Sequence, residues 1–122
     1  MTGRRPRLAV TLGDPRGIGP ELVARLLADD EVRDGCAVPV VDPRGTGVDV
    51  HEAVGDWPPG GDAALAGRLA GDAVIRATAL AMAGTVQGIV TAPLDKHALL
   101  LGGHDAPGHT ELLGELTGRR TA

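Results

Sequence analysis

The residues best suited to chemistry are concentrated near the end of the chain. Three of the four histidines, His97, His104 and His109, and the only lysine, Lys96, fall within fourteen residues. The other eleven of the twelve Lys and Arg residues are arginines. A compact amine that donates hydrogen bonds or releases a proton differs chemically from a guanidinium fork. We therefore predict a catalytic role for Lys96, the alternative being a solvated helix residue.

His109 and Thr110 follow a Pro-Gly turn and precede an apolar segment. A ring and a hydroxyl at a helix start favour an anionic ligand, so both are predicted to bind substrate, although capping also explains Thr110. His97 is expected to pack and His104 to donate from a loop, since their separation matches no helical pair of metal ligands. His51 is assigned to the surface.

A second candidate segment runs from Gly13 to Glu21. Gly17 and Gly19 allow close backbone approach, and Arg16 and the free N–H groups of a helix start can hold an anion, although Pro20 removes one N–H. The segment is neither a P-loop nor a three-glycine dinucleotide motif. The alternatives are a tight strand-to-helix turn that needs glycine, and an Arg16 that faces solvent.

Strands and helices alternate around these segments, which predicts a layered α/β sheet. Ligands of such sheets gather beyond the carboxyl ends of the strands, where both segments fall. Residues 42–61 show no sustained period and are predicted to be irregular. The predicted strands are 7–12, 36–41 and 89–92, and the predicted helices are 20–30, 62–83, 94–101 and 110–117.

Two helix faces are also predicted. The apolar face of the first helix comprises Leu22, Val23, Leu26 and Leu27. The long helix carries Arg68, Asp72 and Arg76 as a charged stripe at four-residue spacing.

Composition excludes several classes of function. The formal net charge of -4 argues against nucleic acid, and the absence of serine excludes a serine triad. Cys36 stands alone, so no intrachain disulfide is possible. The apolar run Leu8–Leu12 is too short for a signal peptide or membrane span, so we expect a cytoplasmic protein without membrane contact. With 1% aromatic residues, we expect a small-residue core that needs a partner surface.

Both segments resemble signatures of the 4-hydroxythreonine-4-phosphate dehydrogenase family of pyridoxal phosphate biosynthesis. Thr11–Glu21 is similar to the opening signature; Thr91–Lys96, followed by Pro107–Glu111, is similar to the central one. The resemblance implies a layered αβα, isopropylmalate-dehydrogenase-like fold and a homodimer. It implies NAD-dependent, divalent-metal-dependent oxidation of a phosphorylated substrate, 4-phosphohydroxy-L-threonine, with loss of carbon dioxide. It also implies substrate contacts for His109 and Thr110.

Family members are well over twice as long, and their metal-binding histidines and much of their cofactor cleft lie later in the chain. Residues 1–122 are therefore expected to form a single partial α/β domain, the N-terminal part of a two-domain fold, without metal ligands and inactive alone. The connection between Val41 and Asp62 is also shorter than in the family. Two alternatives stay open: a related dehydrogenase of a phosphorylated sugar acid or dihydrodiol, and a non-catalytic remnant that acts only by binding.

Overall fold

A computed structural model describes residues 5–104 and residue 113. Strands and helices alternate within them, and every strand pairing is parallel, as expected for an α/β protein. The elements are β1 (Leu8–Thr11), α1 (Gly19–Ala28), α2 (Asp30–Gly35), β2 (Val41–Arg44), β3 (Glu52–Asp56), α3 (Ala63–Met82), β4 (Gly88–Thr91) and α4 (Lys96–Leu101).

The strands lie side by side in the order β4, β1, β2, β3. β1 pairs along its whole length with β4, and β2 pairs with β3. Single bridges, Arg7 with Ala37 and Val10 with Val40, join β1 to the segment that leads into β2. The Val10 N–H donates to the Pro39 carbonyl at 2.9 Å. β1 is therefore central, which explains its nearly continuous apolar sequence.

Helices cover both faces of β1. Ala9 packs with Ala77 of α3, whereas the next residue, Val10, packs with Val23 of α1. Successive strand side chains point to opposite faces, so α1 and α3 lie on opposite sides of β1. The core is built from Val, Leu and Ala, as the composition predicted. Asp62, at the start of the helix predicted over 62–83, caps α3 by accepting from the Leu65 N–H at 2.9 Å.

The predicted second strand, 36–41, is wrong in its bounds. β2 begins at Val41, and residues 37–40 only bridge to β1. Pro39 has no N–H to donate to a ladder, so regular pairing begins only after it.

The segment predicted to be irregular contains regular structure. It holds most of β2 and the whole of β3, which is short and interrupted by Gly55 at φ 142°. A strand of five residues with glycine inside shows no detectable period, which is why the pattern failed. A further helix, α2, was also missed; Asp29 caps it by accepting from the N–H groups of Glu31 and Val32.

The two predicted helix faces are corrected in part. Of the predicted apolar face of α1, only Val23 is buried, and Leu22 is 44% exposed. On α3 the charged residues pair with other elements: Arg76 forms an ion pair with Glu52 of β3, and Asp72 lies 3.2 Å from His104 Nε2. Within residues 5–104, no helix is both long enough and apolar enough to cross a membrane.

Candidate functional site

The two segments that carry the sequence signatures meet at one cleft. It lies at the carboxyl ends of β1 and β4 and has a volume of about 500 Å³. The loop after β1 contributes residues 14 and 16–18, and the loop after β4 contributes residues 93–95. The loops are joined directly, since the Asp14 N–H donates to the Pro93 carbonyl at 3.2 Å. Ligands of α/β proteins bind at this end of the sheet, beyond the carboxyl ends of the strands.

Arg16 connects the two loops electrostatically. Its Nη2 lies 2.7 Å from Asp14 Oδ2 and 3.0 Å from Asp95 Oδ2, and its Nε donates to Asp14 Oδ1 at 3.1 Å. The hydrogen bond with Asp14 is the main reason that the pKa of Arg16 is raised. Arg16 therefore does not simply face solvent: two carboxylates already pair with it, and an anion would have to share or displace them.

Gly19 has a structural role that the anion-loop hypothesis did not include. A Cβ there would lie 1.5 Å from the Leu12 carbonyl oxygen, so α1 begins against the end of β1. Gly13, at φ 73°, is equally confined, because a Cβ would lie 2.2 Å from the Pro93 oxygen. Gly17 is exposed, with only ordinary contact to Asp14. The tight-turn alternative thus accounts for Gly19, and anion binding by this loop stays a prediction.

Lys96 is the first residue of α4, directly after the residues that line the cleft. It is exposed and forms no ion pair with any residue that the structure describes. The Asp95 carboxylate caps α4 by accepting from the Ala98 N–H at 3.0 Å. That hydrogen bond, and then the charge of Arg16, lowers the pKa of Asp95. An accessible amine beside the cleft is compatible with chemistry, and the catalytic role of Lys96 stays a prediction.

The structure describes three of the four histidines, and each has a different environment. His97 is exposed, so the expectation that it packs is wrong. The side chain of His104 is 13% exposed, with Nε2 3.1 Å from the Arg68 carbonyl, and it ties the end of α4 to α3. His51 is exposed as predicted, and its Nδ1 accepts from the Val40 N–H. The predicted substrate ligands His109 and Thr110 lie outside the described residues.

Sequence reasoning missed a buried carboxyl group, Asp42. It is 1% exposed, and the Leu12 N–H donates to both of its oxygens, at 2.9 and 3.1 Å. Burial raises the pKa of Asp42 to about 7, against the opposing effect of that N–H. The apolar Val40-Val41 pair before the aspartate was the available signal, because it leads directly into a buried strand that contains Asp42. Asp42 can exchange a proton near neutral pH.

The described residues do not fit the divalent metal that the family resemblance implies. No group of three or more His, Cys, Asp or Glu side chains within residues 5–104 is arranged to hold one. The loop after β1 also does not fit the pyrophosphate of NAD, the cofactor that the family resemblance implies. Arg16 is already paired with two carboxylates, and Glu21 adds negative charge to the first turn of α1. The cleft between the two loops therefore lacks, among the described residues, a set of side chains that would hold either group.

Curated relatives match nearly all of this chain, but the match covers less than half of each relative. D-threonate 4-phosphate dehydrogenase of Pectobacterium atrosepticum is 39% identical, covering 93% of this chain and 44% of the relative. 4-Hydroxythreonine-4-phosphate dehydrogenase of Geobacter metallireducens is 32% identical, covering 97% and 44%. The chain thus spans less than half the length of these relatives. The Pectobacterium match extends over 145 residues, more than the 122 of this chain, so that relative has residues inside the match that this chain lacks.

Solved structures agree with the sequence relatives. A 4-hydroxythreonine-4-phosphate dehydrogenase from Burkholderia phymatum superposes with a TM-score of 0.88 at 30% identity, over 96% of this chain and 45% of that one. The corresponding enzyme from Klebsiella pneumoniae gives 0.78 at 38% identity, over 93% and 45%. The fold around the cleft is therefore that of the N-terminal portion of these proteins.

The family model described as pyridoxal phosphate biosynthetic protein PdxA matches residues 23–122, most of the chain. The match includes the loop after β4, whose Asp95 pairs with Arg16 across the cleft. Sequence, fold and the joining of the two signature loops agree, and the chain belongs to the PdxA family.

Proposed function

We propose that this chain supplies the N-terminal part of an NAD-dependent dehydrogenase that oxidises 4-phosphohydroxy-L-threonine in pyridoxal phosphate biosynthesis. The observation that carries the proposal is the cleft itself, where Arg16 holds together the two loops that bear the family signatures. The dehydrogenase names of the relatives support the reaction class.

The chain's own residues have separate roles in this proposal. Lys96, which is exposed at the start of α4, donates a proton to the substrate or takes one from it. His109 and Thr110 bind the phosphate or carboxylate, because a protonated ring and a hydroxyl are suitable donors to an anion. Arg16 keeps the two loops in register and acts as a positioning residue.

The finer architecture is part of the same proposal. The chain represents one part of a two-domain, isopropylmalate-dehydrogenase-like fold that works as a homodimer in the cytoplasm, without membrane or nucleic-acid partners. A divalent metal, held by residues beyond those described, would polarise the substrate hydroxyl when bound. Residues 1–122 alone would then be inactive.

A second candidate substrate is favoured by one observation. The D-threonate 4-phosphate dehydrogenases of Pectobacterium atrosepticum and Salmonella typhimurium are both 39% identical to this chain, slightly above the 38% and 32% of the 4-hydroxythreonine-4-phosphate dehydrogenases of Synechococcus and Geobacter. The two substrates differ at carbon 2, which carries an amino group in one and a hydroxyl in the other. A phosphorylated sugar acid was the alternative that the sequence left open.

The reaction is tested by joining residues 1–122 to the part of the Pectobacterium relative beyond the match. NADH formation is then measured with both substrates, in the joined protein and in the chain alone. We expect turnover only in the joined protein, and faster with 4-phosphohydroxy-L-threonine. Faster oxidation of D-threonate 4-phosphate would select the second candidate. If the joined protein oxidises neither substrate, the proposed dehydrogenase activity is wrong, and a remnant that acts only by binding is favoured.

In the joined protein, His109→Ala is expected to reduce kcat/KM by roughly tenfold to more than a hundredfold, the loss of a charge-assisted hydrogen bond of about 1.5–3 kcal/mol. Thr110→Val should cost less, about 1 kcal/mol. His51→Ala is the matched control, since His51 is exposed at a distance along the chain from both signatures. Equal kcat/KM values for the two alanine variants would disprove the assignment of His109.

A further inference from the structure

A basic cavity lies at the amino ends of the strands, opposite the cleft between the two signature loops. It has a volume of about 390 Å³. Arg5 and Arg7, which precede β1, and Arg33 of α2 line it, together with residues that lead from α2 into β2. The four residues of β1, about 13 Å of extended chain, separate it from the cleft. No residue of either signature loop contributes to it.

The positive charge of this cavity is not balanced by carboxylates. Five of the eight arginines within residues 5–104 pair with a carboxylate: Arg16, Arg25, Arg33, Arg44 and Arg76. Arg5 and Arg7 form no ion pair with any described residue, and no acidic side chain in this part of the chain lines the cavity. In a chain with a formal net charge of -4, two unpaired guanidinium groups beside one cavity favour an anionic ligand there.

Hydrogen bonds hold the two arginines at the cavity. The Gln87 N–H donates to the Arg7 carbonyl at 2.8 Å, and the Arg7 N–H donates to Gln87 Oε1 at 2.7 Å. Arg5 Nη1 donates to the Arg33 carbonyl near the end of α2. A guanidinium group has five N–H donors, so this bond leaves most of those of Arg5 for a ligand.

The rest of the wall is mainly apolar. Leu27 of α1, Val38 and Pro39 line the cavity and are half-buried, and Leu27 and Val38 pack against the core. Guanidinium groups bind phosphate oxygens through two parallel hydrogen bonds. A phosphate monoester carries a charge of about −1.5 to −2 near neutral pH, which matches two guanidinium groups better than a single carboxylate does. The apolar wall beside these donors favours an organic phosphate over free phosphate.

We propose that this cavity binds a small phosphate monoester with an apolar or aromatic body. Arg5 and Arg7 hold the phosphate group. The body of the ligand lies against Leu27, Val38 and Pro39. The proposal does not rest on the proposed dehydrogenase reaction, because the cavity and the cleft lie at opposite ends of the strands and share no residue.

Cys36 provides the test, because it lines the cavity, is partly exposed and is the only cysteine of the chain. The rate at which iodoacetamide, an uncharged reagent, alkylates Cys36 in the 122-residue protein is measured by mass spectrometry with and without millimolar phenyl phosphate. We expect phenyl phosphate to slow the alkylation about fivefold or more, because the occupied cavity shields the thiol. Equal rates with and without phenyl phosphate would overturn the proposal.

Two further compounds separate the charge from the apolar body. Inorganic phosphate lacks the body and should protect Cys36 less than phenyl phosphate does. Phenol lacks the charge and should not protect it. Equal protection by inorganic phosphate would overturn the proposed class of ligand in favour of an adventitious ion only, and protection by phenol would overturn the role of the arginines.

Two double variants identify the donors. Arg5→Gln with Arg7→Gln should abolish the protection, which is taken as the ratio of rates with and without phenyl phosphate so that altered thiol reactivity cancels. Arg25→Gln with Arg44→Gln removes the same charge from exposed arginines outside the cavity and should retain the ratio of the parent. Protection that persists in the first variant, or is lost equally in both, would overturn the assignment of Arg5 and Arg7.

Discussion

Two carboxyl groups near the carboxyl ends of the strands have opposite electrostatics. Asp42 on β2 is buried, accepts from the Leu12 N–H alone among the described residues, and has a pKa raised to about 7 by burial. Asp95 after β4 is exposed, caps α4, lies 3.0 Å from Arg16, and has a lowered pKa. A single N–H does not offset desolvation in the first case, whereas in the second water, a helix N-terminus and a cation all favour the charged form.

The difference teaches that the same end of the sheet contains two kinds of contact. In the β1–β2 contact, ionisation of Asp42 weakens folding, because burial disfavours the charged carboxylate more than the Leu12 N–H favours it. The β1–β4 contact, through Arg16, is strongest when its carboxylates are ionised. The two should therefore respond to pH with opposite signs.

The largest expected effect comes from a substitution that disturbs both contacts together. Gly19→Ala places a Cβ 1.5 Å from the Leu12 oxygen, next to the N–H that Asp42 binds. Because backbone must move, we expect a loss of about 4 kcal/mol or more in the free energy of unfolding. Gly17→Ala is the control, since its Cβ makes only an ordinary 3.5 Å contact, and should change it by less than about 0.5 kcal/mol. Chemical denaturation of both variants measures this; similar midpoints would refute the role given to Gly19.

The next effect isolates Asp42. Its pKa in the folded state, about 7, exceeds its ordinary value of 3.8, so between these the folded state holds more protons than the unfolded state. The protonated Asp42 therefore contributes fully to the free energy of unfolding below pH 3.8. This contribution decreases as pH rises from 3.8 and is lost once pH passes the folded-state pKa of about 7. Asp42→Asn cannot ionise.

We expect the stability of Asp42→Asn relative to the parent to rise by about 3–4 kcal/mol from about pH 4 to about pH 8. Urea denaturation over that range provides the measurement. A constant difference between the two proteins would show that Asp42 does not titrate in this way.

The smallest effect tests the exposed contact. Arg16→Met removes the partner of Asp14 and Asp95 and should lower the free energy of unfolding by about 0.5–1 kcal/mol at neutral pH, because partly exposed ion pairs contribute little. The loss should diminish as pH falls and Asp95, whose pKa Arg16 helps to lower, becomes protonated in the parent protein; this is opposite in sign to the effect of Asp42. Arg25→Met, which removes an exposed pair with Glu21 at 3.1 Å, is the matched control and should cost less. A larger loss for Arg25→Met than for Arg16→Met would contradict the joining role of Arg16.

Local patterns predicted the elements whose signals are long or sharply bounded. Pro20 near the start of α1, Asp62 before α3 and the apolar run of β1 each indicate an element without knowledge of its neighbours. β3 and α2 escaped because Gly55 and the flanking acidic residues interrupt the apolar pattern of β3, and α2, with the sequence DEVRDG, is almost entirely polar. The exposure of Leu22 was also unpredictable, since an apolar periodicity does not say whether a partner covers it.

The sequence by itself determined the alternation of strands and helices, the family resemblance and the two segments that meet at the cleft, because these depend on residue type and spacing along the chain. Only the tertiary structure decided that Arg16 pairs both with Asp14, two positions away, and with Asp95, 79 positions away, and that Asp42 is buried against Leu12. Burial and pairing depend on which residues distant in sequence become neighbours, and that is fixed by packing rather than by local pattern.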